Sequence, residues 1–294
     1  MNKLFINLQI TSQCYASLLF SLYLSIKILD LYINKNSNMR FFLFNFICLF
    51  AFSIAGQNPH LATEGMQRKQ STLWRSKAEE SSFTSSMPLK NIGPTIMSGR
   101  ITDIDVNPQN TIEFYIAYAS GGLWYTQNTG MSFEPCFDHE DVMTIGAIAV
   151  HWPSHTVYVG TGEVNSSRSS YAGIGIFKST DKGKTWQHLG LNETHHIGEI
   201  IVDTNNANKI TVAAMGHLYS SNTERGIFQS EDGGKSWGHT LKINEKTGCV
   251  DLITDPKNPN ILYTSSWQRD RKAWNFEGSG VGSDVYKSAD GGTT

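Results

Sequence analysis

One octapeptide recurs along this 294-residue chain: STDKGKTW at 179–186, SEDGGKSW at 230–237 and SADGGTT at 288–294, where the sequence stops. A divergent version, TQNTGMSF, occupies 126–133, with Asn128 in the Asp place and Phe133 in the Trp place. A motif returning at a near-constant interval marks one structural unit built several times over. Units this small bury their apolar faces only against one another, so the recurrence dictates a stacked repeat architecture.

Each octapeptide ends a unit that begins with an apolar segment: ITDIDVNP at 101, IGAIAVHWP at 145, IGEIIVDT at 197 and CVDLITDP at 249, spaced 44, 52 and 52 residues apart. Second segments follow as FYIAYAS, VYVGTGE, ITVAAMG and ILYTSSW, and third segments as GLWYT, GIFKS, GIFQS and DVYKS. These runs are short, rich in β-branched and aromatic residues, and separated by Pro-Asn, Gly-Gly or Asp-Gly turn chemistry, which reads as strands. Four strands per unit at this period predict an all-β fold, a β-propeller of four-stranded antiparallel blades over about 99–137, 143–190, 195–242 and 247–294. The fourth blade stops short of its outer strand, so about four blades are expected as an incomplete ring over 88–294. Its exposed strand edges would favour aggregation.

The octapeptide itself reads as the hairpin between third and fourth strands. Gly183 and Gly234 can take the positive φ of a tight reversal, and Asp181 and Asp232 can accept backbone N–H groups inside it. Ser179, Ser230 and Ser288 add hydroxyl bonds, with Asp290 the third Asp of the series. Trp186 and Trp237 open the fourth strand and are expected to bury their rings against a neighbouring sheet.

The first 87 residues read differently. From Met39, MRFFLFNFICLFAFSIAGQ has a basic start, an apolar core of about a dozen residues and a small-x-small site at Ser53-Ile54-Ala55, the pattern of a secretory signal peptide over 39–56. Its apolar run is shorter than the roughly 20 residues of a spanning helix. Residues 1–38 read as an upstream extension produced by a start placed too early; if translated, residues 15–34 would make a poor membrane helix. Residues 57–87 read as a flexible linker. Export is the expectation, with membrane contact only through an uncleaved leader. Of four cysteines, Cys14 and Cys48 fall in the leader, and Cys136 and Cys249 stand too far apart for a disulfide framework or a metal motif. The net charge of −2 excludes the strong positive field that nucleic-acid binding requires.

Antiparallel strands turn alternately at the two faces of the ring, so the octapeptide hairpins share a face with the first-to-second turns. The opposite face carries the irregular insertions 163–172, 217–225 and 267–282 and the connections from 138 and 192. Loops on a rigid scaffold are where binding concentrates. Tyr171, Trp267 and Trp274, beside Arg168, Arg269 and Arg271, form the expected ligand-binding set, suited to stacking on sugars or anchoring a peptide; capping of the blade tops is the other reading. Glu163, Glu140, Asp141 and Glu199 are candidate carboxylates by position. His195 and His196 would point to opposite sides of a strand, so no shared metal is expected, and no cofactor.

The octapeptides resemble the Asp-box, or BNR, repeat S-x-D-x-G-x-T-W of sialidases, of the sortilin N-terminal domain and of xyloglucan-cleaving propeller enzymes. Phrases such as IGAIAV, VYVGTGE, GIFKSTDKGKTW and DPKNPNILYTSSWQRDRKAWNF are similar to large exported bacterial proteins described as sortilin-type or as glycosyl hydrolases, over residues 88–294. The resemblance implies a propeller; Asp boxes are structural and do not fix activity. A sortilin-like relationship implies a binding or scaffold domain holding peptide or glycan, with further blades as partners. A glycosidase relationship implies two carboxylates roughly 5–10 Å apart. The xyloglucanase family places its general base just before a Gly-Gly-aromatic stretch, where this chain has Ala119 and Ser120. Arg100 in GRIT is similar to the Arg-Ile-Pro start of sialidases, although Thr102 stands in place of the proline. The leading expectation is a binding propeller, with glycoside hydrolysis as the alternative; Glu163, Asp141 and Arg100 are its catalytic candidates.

Overall fold

The computed structural model describes residues 62–87 and 99–294. The extension over 1–38 and the leader over 39–56 lie outside the described residues. Within the segment expected to be a flexible linker, Gly65–Glu80 forms a helix, α1. Met66 to Glu80 contains neither Gly nor Pro and is rich in Gln, Lys, Arg and Glu, so helix propensity is unopposed there. The Arg68 guanidinium donates to the carbonyls of Gly173 (2.7 Å) and Ala172 (3.3 Å), and Lys69 meets His188 Nδ1 at 3.0 Å. Polar contacts of its first turns hold α1, which leaves Leu73 and Trp74 exposed and gives the sequence no amphipathic stripe.

Four antiparallel sheets follow. Blade 1 comprises β1 (Ile101–Val106), β2 (Phe114–Tyr118), β3 (Gly122–Thr126) and β4 (Glu134–Pro135), paired in that order. Blade 2 comprises β5 (Ile145–His151), β6 (Thr156–Thr161), β7 (Ile176–Ser179) and β8 (Gln187–His188). Blade 3 comprises β9 (Ile197–Val202), β10 (Ile210–Ala214), β11 (Gly226–Ser230) and β12 (Gly238–Leu241). Blade 4 contains β13 (Thr247–Asp255) and β14 (Asn258–Gln268); a short hairpin, β15 (Asp270–Arg271) with β16 (Phe276–Glu277), interrupts it before β17 (Val285–Ser288). These are consecutive blades of a β-propeller, each inner strand packed on the next.

The alternation of strand residues explains why the blades stack. In β6, Val157 and Val159 pack with Tyr115, Leu123 and Phe137 of blade 1, whereas Tyr158 between them packs with Ile200, Ile210 and Phe228 of blade 3. A strand with period two thus serves two interfaces at once. Where inner strands approach most closely no side chain fits: a Cβ on Gly146 would lie 1.9 Å from the Ile197 carbonyl oxygen, and one on Gly198 would lie 2.3 Å from that of Val250.

The octapeptide turn repeats atom for atom. Asp181 Oδ1 accepts from Ser179 Oγ (2.7 Å), Lys184 N (3.0 Å) and Thr185 N (2.9 Å), and Oδ2 accepts from Thr185 Oγ1 (2.6 Å). Asp232 does the same with Ser230, Lys235 and Ser236, and Asp290 with Ser288 and Thr294. Gly183 and Gly234 have φ of +85° and +89°. Asn128 keeps the bonds to Thr126 Oγ1 and Ser132 N in the divergent copy. The tryptophans are half-buried and reach backwards: Trp186 Nε1 donates to Cys136 O (2.6 Å) of blade 1, and Trp237 Nε1 to Leu189 O (2.9 Å) of blade 2. Each hairpin therefore clamps the blade before its own.

Candidate functional site

The loops opposite the octapeptide turns converge on a polar cluster. Glu163, 2% exposed, follows β6; its Oε2 pairs with Arg100 Nη2, and its Oε1 accepts from Ser170 Oγ at 2.8 Å. His196 Nδ1 meets the Glu163 carbonyl at 2.7 Å, and burial pushes this imidazole down to about 3, with the Arg269 charge second. Two sequence-predicted residues, Glu163 and Arg100, thus meet, but as one carboxylate locked to one guanidinium. No hydrogen bond or ion pair among the described residues joins Asp141 to either; it sits half-buried beside Glu140, whose carboxyl is raised by burial and by Asp141.

Arg269 corrects the expectation of an exposed ligand-binding side chain. It is 3% exposed and donates through Nη1 to Val164 O (3.0 Å) and to Ser166 Oγ, so blade 4 is tied to the insertion of blade 2. Burial, reinforced by Arg225, pushes its guanidinium down to about 9. Trp267 is half-buried beneath it: the guanidinium carbon lies 5.6 Å from the ring, and Nε1 donates to Gly278 O (2.8 Å). Arg271 is half-buried and stacks on Phe276 at 4.9 Å. These three support loops. The residues left facing solvent are Arg168, Tyr171 and Trp274, the rings 62% and 84% exposed. Tyr219, which the sequence reading did not single out, is 48% exposed and donates to the Arg168 carbonyl at 3.3 Å, so the insertions of blades 2 and 3 touch.

Other groups escaped the sequence reading because their partners sit on different loops. Arg225 is buried with its donors on carbonyls: Met215 O (2.7 Å), His217 O (2.6 Å) and Ser220 O (2.8 Å). It shapes the 215–222 loop around itself. That loop brings His217 against His195, ring centroids 3.6 Å apart, and both Nε2 atoms approach Glu193 Oε2, at 3.4 and 3.5 Å. His195 does not lie in a strand; its φ is +53°, in the left-handed region, and it points away from His196 towards blade 3. Burial, with the charges of His217 and Arg68 adding, pushes His195 down to about 2.

A second group lines the inner strands. Asp103 Oδ2 accepts from Ile148 N (2.8 Å), and Asp105 accepts from Val150 N and Trp152 Nε1 (both 2.7 Å). These carboxylates satisfy the free edge of β5, which no strand pairs. Burial raises Asp105 to about 6 and Glu199 to about 7, Asp103 adding repulsion to each. A separate cavity of about 740 Å³ opens between blades 1 and 2, lined by Tyr125, Glu134, Asp138, Lys182, Lys184 and Trp186; it contains none of the expected ligand-binding residues.

No protein-family model matches the chain. Over 188 residues it is 24% identical to a Neosartorya fischeri protein described as a probable oligoxyloglucan-reducing end-specific xyloglucanase, a stretch covering 60% of this chain and 21% of that one. Among solved structures it is similar to a GH74 enzyme of Niastella koreensis (18% identity, TM-score 0.48, 65% of this chain and 28% of that). It is also similar to the GH74 xyloglucanase of Xanthomonas campestris (16%, TM-score 0.48, 70% and 31%). YCF48 from Cyanidioschyzon merolae is similar at 13% identity and a TM-score of 0.38, over 68% of this chain and 85% of that one. The chain thus resembles a xyloglucanase in sequence while spanning about a fifth of that relative's length.

Proposed function

We propose that these blades present a glycan-binding face of an exported, glycoside-hydrolase-like Asp-box propeller, and that the glycan is a β-glucan of the xyloglucan class. The observation that carries this reading is the set of exposed rings, Tyr171, Tyr219 and Trp274, on the insertions of three successive blades at one face. Flat, exposed aromatic faces on rigid loops suit stacking against sugar rings, and the neighbouring Arg168 offers donors to hydroxyl groups. The resemblance to a xyloglucanase supports the choice of glycan over peptide.

Binding rather than hydrolysis is the proposed role of this face. A glycosidase needs one carboxyl free to donate a proton and a second free to attack or activate water. Glu163 is held by Arg100 and Ser170, and Ala119 and Ser120 stand where the resemblance to xyloglucanases would place a general base. One observation favours the hydrolytic alternative: a carboxyl near pKa 7, as at Glu199, is protonated often enough at neutral pH to act as an acid.

Isothermal titration with xyloglucan oligosaccharides tests the proposal. Binding should weaken at least roughly tenfold in Trp274→Ala and in the Tyr171→Ala, Tyr219→Ala pair, as expected when aromatic contact is removed. Affinity unchanged in these variants, or binding of unstructured peptides instead, would overturn it. Release of reducing ends that disappears in Glu199→Gln would establish the hydrolytic alternative.

A further inference from the structure

Two loops that the repeat does not align bring together Glu193, His195 and His217. Glu193 and His195 lie on the connection between blades 2 and 3, and His217 lies on the insertion after β10. Their three ligand atoms fall within 4.8 Å of one another. We propose that this cluster is a binding site for a divalent transition-metal ion, with zinc as the best match, independent of the glycan-binding reading.

The geometry carries the proposal. A tetrahedral zinc ion with nitrogen and oxygen ligands at about 2.0–2.2 Å holds those ligands roughly 3.4 Å from one another. The two Nε2 atoms stand 3.5 and 3.4 Å from Glu193 Oε2. That spacing is long for a hydrogen bond and right for a shared ion. Neither Nε2 has a hydrogen-bond partner among the described residues, although both atoms are buried. An orphaned buried nitrogen has given up its hydrogen bond to water without replacement, and here two of them converge on one carboxylate oxygen. His195 is 6% exposed, so water reaches its orphaned nitrogen poorly.

The surroundings fit the same reading. His217 Nδ1 is held by Ser220 Oγ at 2.8 Å, the outer contact that fixes ring orientation in metal-binding histidines. Glu193 Oε1 accepts from Gly65 N at 2.5 Å, so the carboxylate joins the start of α1 to the two imidazoles. The left-handed backbone of His195 is a strained conformation of the kind that functional contacts retain. Arg68 and Arg225 add positive charge nearby, but both turn their guanidinia onto backbone carbonyls, which leaves Glu193 Oε2 to the imidazoles. Two neutral imidazoles and one carboxylate make a borderline donor set, selective for zinc-like ions over magnesium or calcium. Three protein ligands leave a fourth position for solvent or a ligand oxygen. Filling the site requires the stacked rings to fan apart, and it would staple α1 to blades 2 and 3.

The test is titration of the chelator-treated full chain with Zn2+, followed by heat, and with Co2+, followed by visible absorption. One ion per chain is expected, with a tetrahedral cobalt band and a rise in melting temperature that EDTA reverses. His217→Ala and Glu193→Gln should abolish stoichiometric binding, Ser220→Ala should weaken it about 10–100-fold, and His139→Ala, at an exposed histidine outside the cluster, should leave it intact. Near-UV circular dichroism identifies any variant that fails to fold; Glu193→Gln keeps the side-chain shape and decides the matter should His217→Ala be lost. Absence of binding in the parent chain, or binding equal in parent, Glu193→Gln and His217→Ala, would overturn the proposal.

Discussion

Asp181 holds its turn because it faces only donors. The Thr185 hydroxyl and N–H lead the groups that push its carboxyl down to about 2. A pKa below the ordinary value of about 3.9 means stability that is present above that value and lost as pH falls through the folded one. Asp181→Asn should therefore flatten the acid limb of a plot of melting temperature against pH between about 4 and 2; an unaltered limb would contradict the turn's role. Trp186→Phe should cost about 1 kcal/mol, the net worth of one hydrogen bond, and Trp186→Ala about 3 kcal/mol by urea unfolding. The turn was legible because all its partners lie within five residues. The burial of Arg269 was not, since Val164 and Ser166 precede it by more than a hundred residues.

At the level of elements, the inner strands carry a pH dependence of opposite sign. Glu199 and Asp105 are raised, so their protonated forms favour the fold. That contribution is complete below the unfolded values near 4 and is lost as pH climbs through about 6 for Asp105 and about 7 for Glu199. Glu199→Gln should raise the melting temperature at pH 8 relative to the parent and remove part of the decline between pH 4.5 and 7; a parallel decline in both proteins would refute it. The strands were readable from alternation and β-branched content. Asp103 and Asp105 were not explained, because the edge they satisfy belongs to the next blade. α1 escaped for a different reason: it is held by its first turns and has no apolar stripe to announce it.

Across the whole molecule, blade number, order and facing were readable from spacing alone, because a repeat forces each unit to solve the same burial problem. The site was readable only as a face. Which residues stay exposed depends on contacts between insertions that obey no period, as Arg225 and the 215–222 loop illustrate. α1 supplies a test at this scale. Arg68→Ala removes the bonds to Gly173 and Ala172 and should make residues 65–80 the first site of limited proteolysis, with a loss of about 1–2 kcal/mol; protection equal to the parent would show that other contacts dock the helix.

The backward reach of the tryptophan clamps also sets an order in time. Cys136 waits for Trp186, 50 residues later in the chain, and Leu189 waits for Trp237, 48 residues later. At roughly 5–20 residues per second of synthesis, the strands of each blade are complete about 3–10 s before the tryptophan that locks them has been made. The nascent propeller thus always trails one blade that is still open to correction, and mistakes in pairing can be undone before the next hairpin seals them.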